Sequence, residues 1–163
     1  MNIRHEYDCT PERFWEMYWD DEFASMLKEG STVQRDVVEE RTEGSLSIQR
    51  IRFTPERELP SAVSAIIGSK KLVYEQENKY DADKGVVHWE VVPTFLPDKL
   101  KASGTVRVED IGDGRCAHII VGYISVKVAF IGGQIEKAVV GEVDKSWATT
   151  AEKGREWLRR HSA

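Results

Sequence analysis

Four histidines, two cysteines and the adjacent carboxylates Asp20 and Asp21 are the side chains of this sequence with the widest chemical scope. His5 alternates with Ile3 and Tyr7, and His118 with Cys116 and Ile120, so each imidazole falls on an otherwise apolar strand face. A histidine placed there either titrates near neutrality and orients a polar group, or is hydrogen-bonded to backbone; both readings stand. His88 and Glu90 share a face, as do Arg50 and Arg52, so strand register decides whether they form a polar constellation. Asp20 and Asp21 are read as a carboxylate pair or as the polar break between two helices. Cys9 and Cys116 show no CxxC or Cys/His spacing, so neither a disulfide framework nor a zinc site is expected. The chain has no GxSxG, HExxH, P-loop or dinucleotide fingerprint. No catalytic residue, metal or cofactor is assigned.

The elements that position these residues are mostly strands. Residues 2–8 alternate and then stop at Thr10, Pro11 and Glu12: an N-cap, a proline at the first helical position and an acid at the positive end of the dipole. Phe14, Trp15, Tyr18 and Trp19 predict a short aromatic helix, and Phe23, Met26 and Leu27 a second one ended by Gly30. Residues 31–53 predict a hairpin turning at 42–45. Residues 60–68 (PSAVSAIIG) are small and apolar, a short helix or an apolar loop between strands. Strands follow over 71–80 and 86–92, then a connection carrying Phe95 and Leu96 between Pro93 and Pro97. Leu100, Ala102, Gly104, Val106 and Val108 mark one face of the next strand. Cys116, His118, Ile120, Gly122, Ile124 and Val126 mark the last.

From Ile131 to His161 the period changes to that of a helix. Ile131, Ile135, Ala138, Val139, Val143, Trp147, Ala151, Gly154 and Leu158 recur at steps of three and four. The helix is roughly 40 Å long at 1.5 Å per residue and needs an equally wide apolar partner. A coiled antiparallel sheet supplies one. Glu136 is read as complementing the positive end of the helix dipole. Gly122 and Gly133 are read as points of close approach by another element, with a flexible helix start as the alternative at 132–133.

The 163 residues are expected to form a single domain, residues 1–163. Net charge is −5 with both signs interspersed, which argues against nucleic acid as a partner. Arg159, Arg160 and His161 suit the C-terminal end of a helix. The N-terminus lacks a secretory apolar segment and no window approaches 18 apolar residues, so a cytoplasmic location without a transmembrane segment is expected. A monomer or weak dimer is expected, with Trp15, Trp19 and Trp157 as alternative interface residues.

This order of elements resembles the helix-grip fold of the START-like (SRPBCC) superfamily, which includes birch-pollen-type allergens, StAR-related lipid-transfer domains and polyketide cyclases. The matching features are the TPERFW helix start at residues 10–15, Gly104, Gly122 and the GGQIE start of the long helix at 132–136. The chain is similar to uncharacterised bacterial START-like proteins. The resemblance implies an α+β domain in which a seven-stranded curved antiparallel sheet wraps around a long C-terminal helix, with two short helices after strand one. It also implies a cavity between sheet and helix for a hydrophobic small molecule or lipid. The expected lining is His5, Tyr7, Trp89, His118, Ile120, Ile124, Ile135, Val139, Val143 and Trp147, with Val63, Ile66 and Ile67 as a lid. For each lining residue, core packing is the competing role. Cyclase-like or hydrolase-like chemistry, or a closed core that binds a regulatory partner, are the alternative functions.

Overall fold

The computed structural model describes residues 1–29, 31–94 and 97–162. The helix stop expected at Gly30, and Phe95 and Leu96 of the expected connection, lie outside these residues. The elements run β1 (Asn2–Tyr7), α1 (Pro11–Tyr18), α2 (Asp21–Lys28), β2 (Val33–Glu43) and β3 (Leu46–Pro55). They continue with α3 (Ser61–Ile67), β4 (Tyr74–Asp81), β5 (Val86–Val92), β6 (Leu100–Gly112), β7 (Arg115–Val126) and α4 (Gly132–Arg160). One curved antiparallel sheet holds all seven strands in the order β1-β7-β6-β5-β4-β3-β2. Every link except β1–β7 is a sequential neighbour, as hairpins and short connections require.

Local chemistry sets the boundaries. The Thr10 hydroxyl accepts from the Arg13 amide at 3.3 Å and starts α1 with Pro11 in its first turn. The Asp20 carboxylate accepts from the Phe23 amide at 3.1 Å and starts α2, so Asp20 is a helix cap and not half of an acid pair. Gly44 takes a φ of 61° in the β2–β3 turn, a conformation that costs a side-chain-bearing residue. Residues 60–68 contain a helix, α3, ended by Gly68 at φ 74°. The strand expected from Lys71 begins at Tyr74, because Lys70 turns back to accept from the Leu59 amide at 2.7 Å and closes the α3 excursion.

Helix α4 changes partner along its length. Its first half presents Ile135, Val139, Val143 and Trp147 to the concave side of the sheet. Its second half buries Thr150, Ala151, Gly154 and Trp157, with Ala151 and Trp157 in one core with Tyr7, Phe14, Met17, Phe23 and Met26 of β1, α1 and α2. Two expectations are corrected here. Ala138 is exposed, and Trp157 is buried instead of facing a partner, because α1 and α2 cover the end of α4. The Trp157 indole N–H donates to Asp20 Oδ1 at 3.0 Å, tying the end of α4 to the start of α2. Trp15 is half-buried and Trp19 exposed. Among the described residues no helix is long and apolar enough to cross a membrane.

Candidate functional site

The centre of the concave face is built by one row across three strands. Trp89 on β5 pairs with Gly104 on β6, which pairs with Gly122 on β7. Paired residues project to the same face, so the indole extends over both glycines. A Cβ on Gly122 would lie 2.3 Å from Trp89 Cζ2, and one on Gly104 2.8 Å from the same atom. The glycines are therefore the seat of the tryptophan, as expected for Gly122. At the start of α4 the close approach belongs to Gly132, whose Cβ would stand 2.4 Å from the Val126 carbonyl oxygen; Gly133 has open space around it. The Trp89 Nε1 hydrogen is buried without a protein partner among the described residues.

Between this row and α4 lies an apolar cavity of about 40 Å³. Strand β4 contributes Tyr74 and Gln76 to its walls, β5 Trp89 and Val91, β6 Leu100 and Ala102, and β7 Ile124 and Val126; Ile135, Val139, Val143 and Trp147 close it from α4. Burial raises the Tyr74 hydroxyl to a pKa of about 12, so it enters as a neutral donor and acceptor. The cavity is well below the ~300–1,000 Å³ of small-molecule sites. It shares Leu72, Tyr74, Val139 and Val143 with an outer groove of about 530 Å³, which runs past Leu59, Pro60 and Lys137 and is of ligand size. Helix α3 stands at the end of this space. Val63 is buried with Leu100, Val126 and Ile135, Ile67 packs on that cluster, and Ile66 points to solvent.

Six of the expected lining residues, Trp89, Ile124, Ile135, Val139, Val143 and Trp147, are thus brought together. The other four lie behind them. Ile120 is fully buried in one core cluster with Trp89 and with Val106, its partner on β6. His5 pairs directly with His118 across β1 and β7, and the two histidines and Tyr7 face α1 and the second half of α4. The His118 ring is fully buried, 4.8 Å from Phe14 and 5.4 Å from Trp147 between centroids, which sets Trp147 between it and the cavity. Neither of its ring nitrogens has a protein partner among the described residues. Burial, reinforced by His5, drives its pKa to about 3, so His118 is neutral across the physiological range. Burial and then Arg155 lower His5 as well.

The scan of family models matches residues 2–158 to a protein family of unknown function, DUF2505. The chain belongs to the DUF2505 family. No curated protein matches it in sequence. Solved structures similar to this DUF2505 chain carry the START-like fold. A START superfamily protein from Mycobacterium smegmatis matches at 15% identity and a TM-score of 0.62, over 97% of each chain. The Zhui aromatase/cyclase from Streptomyces sp. R1128 matches at 10% identity and 0.65, over 98% of this chain and 94% of its own. Norcoclaurine synthase from Thalictrum flavum, in complex with dopamine and hydroxybenzaldehyde, matches at 16% identity and 0.66, over 100% of this chain and 87% of its own. At these identities the likeness is one of fold: the helix grip, with seven antiparallel strands around a long C-terminal helix.

Several residues of this DUF2505 chain take places the sequence did not disclose. His88, Glu90, Arg50 and Arg52 fall on the convex face, where Glu77 receives Arg50 at 3.0 Å and Lys79 at 3.1 Å and Arg52 meets Glu75 at 2.8 Å; His88 and Glu90 stand opposite Lys79 and Glu77 and make no ion pair among the described residues. Glu136 accepts from the Val126 amide at 2.6 Å and so secures the end of β7, a role beyond complementing a dipole. Cys9 and Cys116, 107 residues apart, place their sulfurs 3.9 Å from each other; the contact lowers the Cys9 thiol and raises that of Cys116. Arg35 alternates with Val33 and Val37 in the sequence, and its pairing with Phe53 sets the guanidinium on the inner face of β2.

Proposed function

We propose that this protein binds a hydrophobic small molecule or lipid in the space between sheet and α4. The observation that carries this reading is the continuity of the tryptophan-walled cavity with the outer groove through Leu72, Tyr74, Val139 and Val143. The groove supplies volume, and the cavity an apolar end that excludes water around Trp89 and Trp147. The free Trp89 N–H, the Tyr74 hydroxyl and Gln76 are the polar groups available to orient the guest. Helix α3 is the lid of this reading: Val63 and Ile67 hold it on the cluster around Ile135, and release of those contacts opens the end of the cavity. Tyr7, His5, His118 and Ile120 support the wall from behind. The START-like fold of the similar structures is compatible with such a guest.

The test is native mass spectrometry of protein purified from cells, with titration by a fluorescent fatty acid. A co-purifying apolar adduct, lost in Val139→Trp, is the expected result. A protein that is consistently empty and ignores the fatty acid overturns the reading.

A further inference from the structure

Arg35 is a half-buried cation with an enclosed Nε and no carboxylate partner among the described residues. It pairs with Phe53 on β3, and Phe53 with Tyr74 on β4, so the three side chains form one row on the concave face. The guanidinium carbon lies 5.5 Å from the Phe53 ring centre, and Phe53 stacks on Tyr74 at 5.0 Å. One terminal nitrogen donates to Ser146 Oγ of α4 at 2.8 Å, the sole hydrogen bond of the side chain among the described residues, and Nε is buried with none. The other arginines on the sheet behave differently: Arg4, Arg41, Arg50, Arg52, Arg107 and Arg115 each meet an acid. Taking a guanidinium out of water without a counter-charge is costly, and native structures pair such groups or use them.

The groove around Arg35 carries further polar groups. Arg35 lines a groove of about 370 Å³ between β2 and α4 whose further polar walls include Ser31, Thr32, Lys145, Ser146, Thr149 and Thr150. Hydroxyls and cations with aromatic backing are the surroundings of a bound anion. Glu142 is the acid on the rim, and it is engaged by Lys145 at 3.3 Å and Arg57 at 3.9 Å. The same groove shares Val33, Glu142, Lys145 and Ser146 with the groove that opens into the apolar cavity, and Tyr74 stands in the wall of that cavity one residue along the row from Phe53. An apolar slot and a half-buried cation without an acid partner among the described residues are therefore joined by one continuous surface.

We infer that the guest is an amphiphile with an anionic head group, and that Arg35, with Ser146 and Lys145, is the site that receives the head while the tail enters between Trp89 and α4. This rests on the ligand-binding reading above and specifies the chemical class of the ligand. The remaining N–H groups of Arg35 donate to the acid oxygens, and the Phe53 ring backs the guanidinium.

The probes are decanoate, decyl phosphate and decanol, which share a tail and differ in the head, titrated calorimetrically into the wild-type protein and Arg35→Gln. At least one anion is expected to bind wild type about 10-fold or more tighter than decanol, with the better anion identifying the head group. Arg35→Gln is expected to abolish that preference while retaining decanol. Equal binding of all three by wild type overturns the head-group site and leaves the cavity reading intact. An anion preference that survives in Arg35→Gln overturns the assignment to Arg35. Binding of none of the three to wild type overturns both readings. The wild-type comparison stands whether or not the variant folds.

Discussion

The Trp89 indole lies so close to Gly122, two strands away, that a Cβ there would fall 2.3 Å from Cζ2 of the ring and 2.8 Å from the Ser103 carbonyl oxygen. Neither neighbour is the far end of a flexible chain. Gly122→Ala must therefore displace the tryptophan that walls the cavity, at a cost of about 1–3 kcal/mol. Urea denaturation should show a lower midpoint, and Trp89→Leu in the Gly122→Ala background should recover part of the loss. An unchanged midpoint in the single variant would contradict the contact.

Acid should act through His118. Its pKa is 6.5 when unfolded and about 3 in the buried site, so between these values the unfolded chain takes up a proton that the native chain refuses. The sign follows directly: stability is fully present above pH 6.5 and falls as pH drops toward 3. The loss from this residue reaches about 5 kcal/mol at the low end, with His5 acting in the same direction. His118→Phe should flatten the slope of stability against pH in this window. A slope identical to wild type would show that another group sets it.

Asp20 serves two elements with one oxygen, accepting from the Phe23 amide and from the Trp157 indole N–H. Asp20→Ala removes both contacts, whereas Asp20→Asn keeps an acceptor in place. The melting temperature should fall further for alanine than for asparagine, and tryptophan fluorescence should report a changed Trp157 environment only in the alanine variant. Equal melting temperatures would mean that the shared cap contributes nothing. The hydrogen bond from Phe23 is the leading cause holding the Asp20 carboxyl below its usual range, followed by that from Trp157 among the lowering contacts.

Ile135 is buried where α4, α3 and the ends of β6 and β7 meet. Its truncation to alanine should cost about 2–5 kcal/mol, the range for emptying such a site, and enlarge the cavity. Hydrogen exchange should show faster exchange in α3, since Val63 and Ile67 pack on the same cluster. Unaltered protection of residues 61–67 would separate the lid from the cavity.

Much of the architecture is written in local patterns. The period of two in Leu100, Ala102 and Val106 and the period of about 3.6 in Ile135, Val139, Val143 and Trp147 each name the face that must be covered. The cap at Thr10 is legible because it depends on a residue three positions away, while at Asp20 the sequence marks only the break that the structure turns into the cap of α2. What such patterns leave out is the partner of each face. Trp157 carries the helical period of α4 but follows α1 and α2, so no stripe drawn for a single partner could include it.

The sequence by itself determined the order of seven strands, two early helices and a long final helix, and the apolar faces of β6 and β7. Tertiary structure alone decided which residues stand opposite each other across strands. Register set Trp89 over Gly104 and Gly122, joined Arg35 through Phe53 to Tyr74, drew His5 and His118 away from the cavity, and brought Cys9 to 3.9 Å from Cys116. The physical reason is range. Periodicity records whether a position faces apolar surroundings or water, while pairing across a sheet is fixed by hydrogen bonds between segments far apart in the chain, which no short window contains.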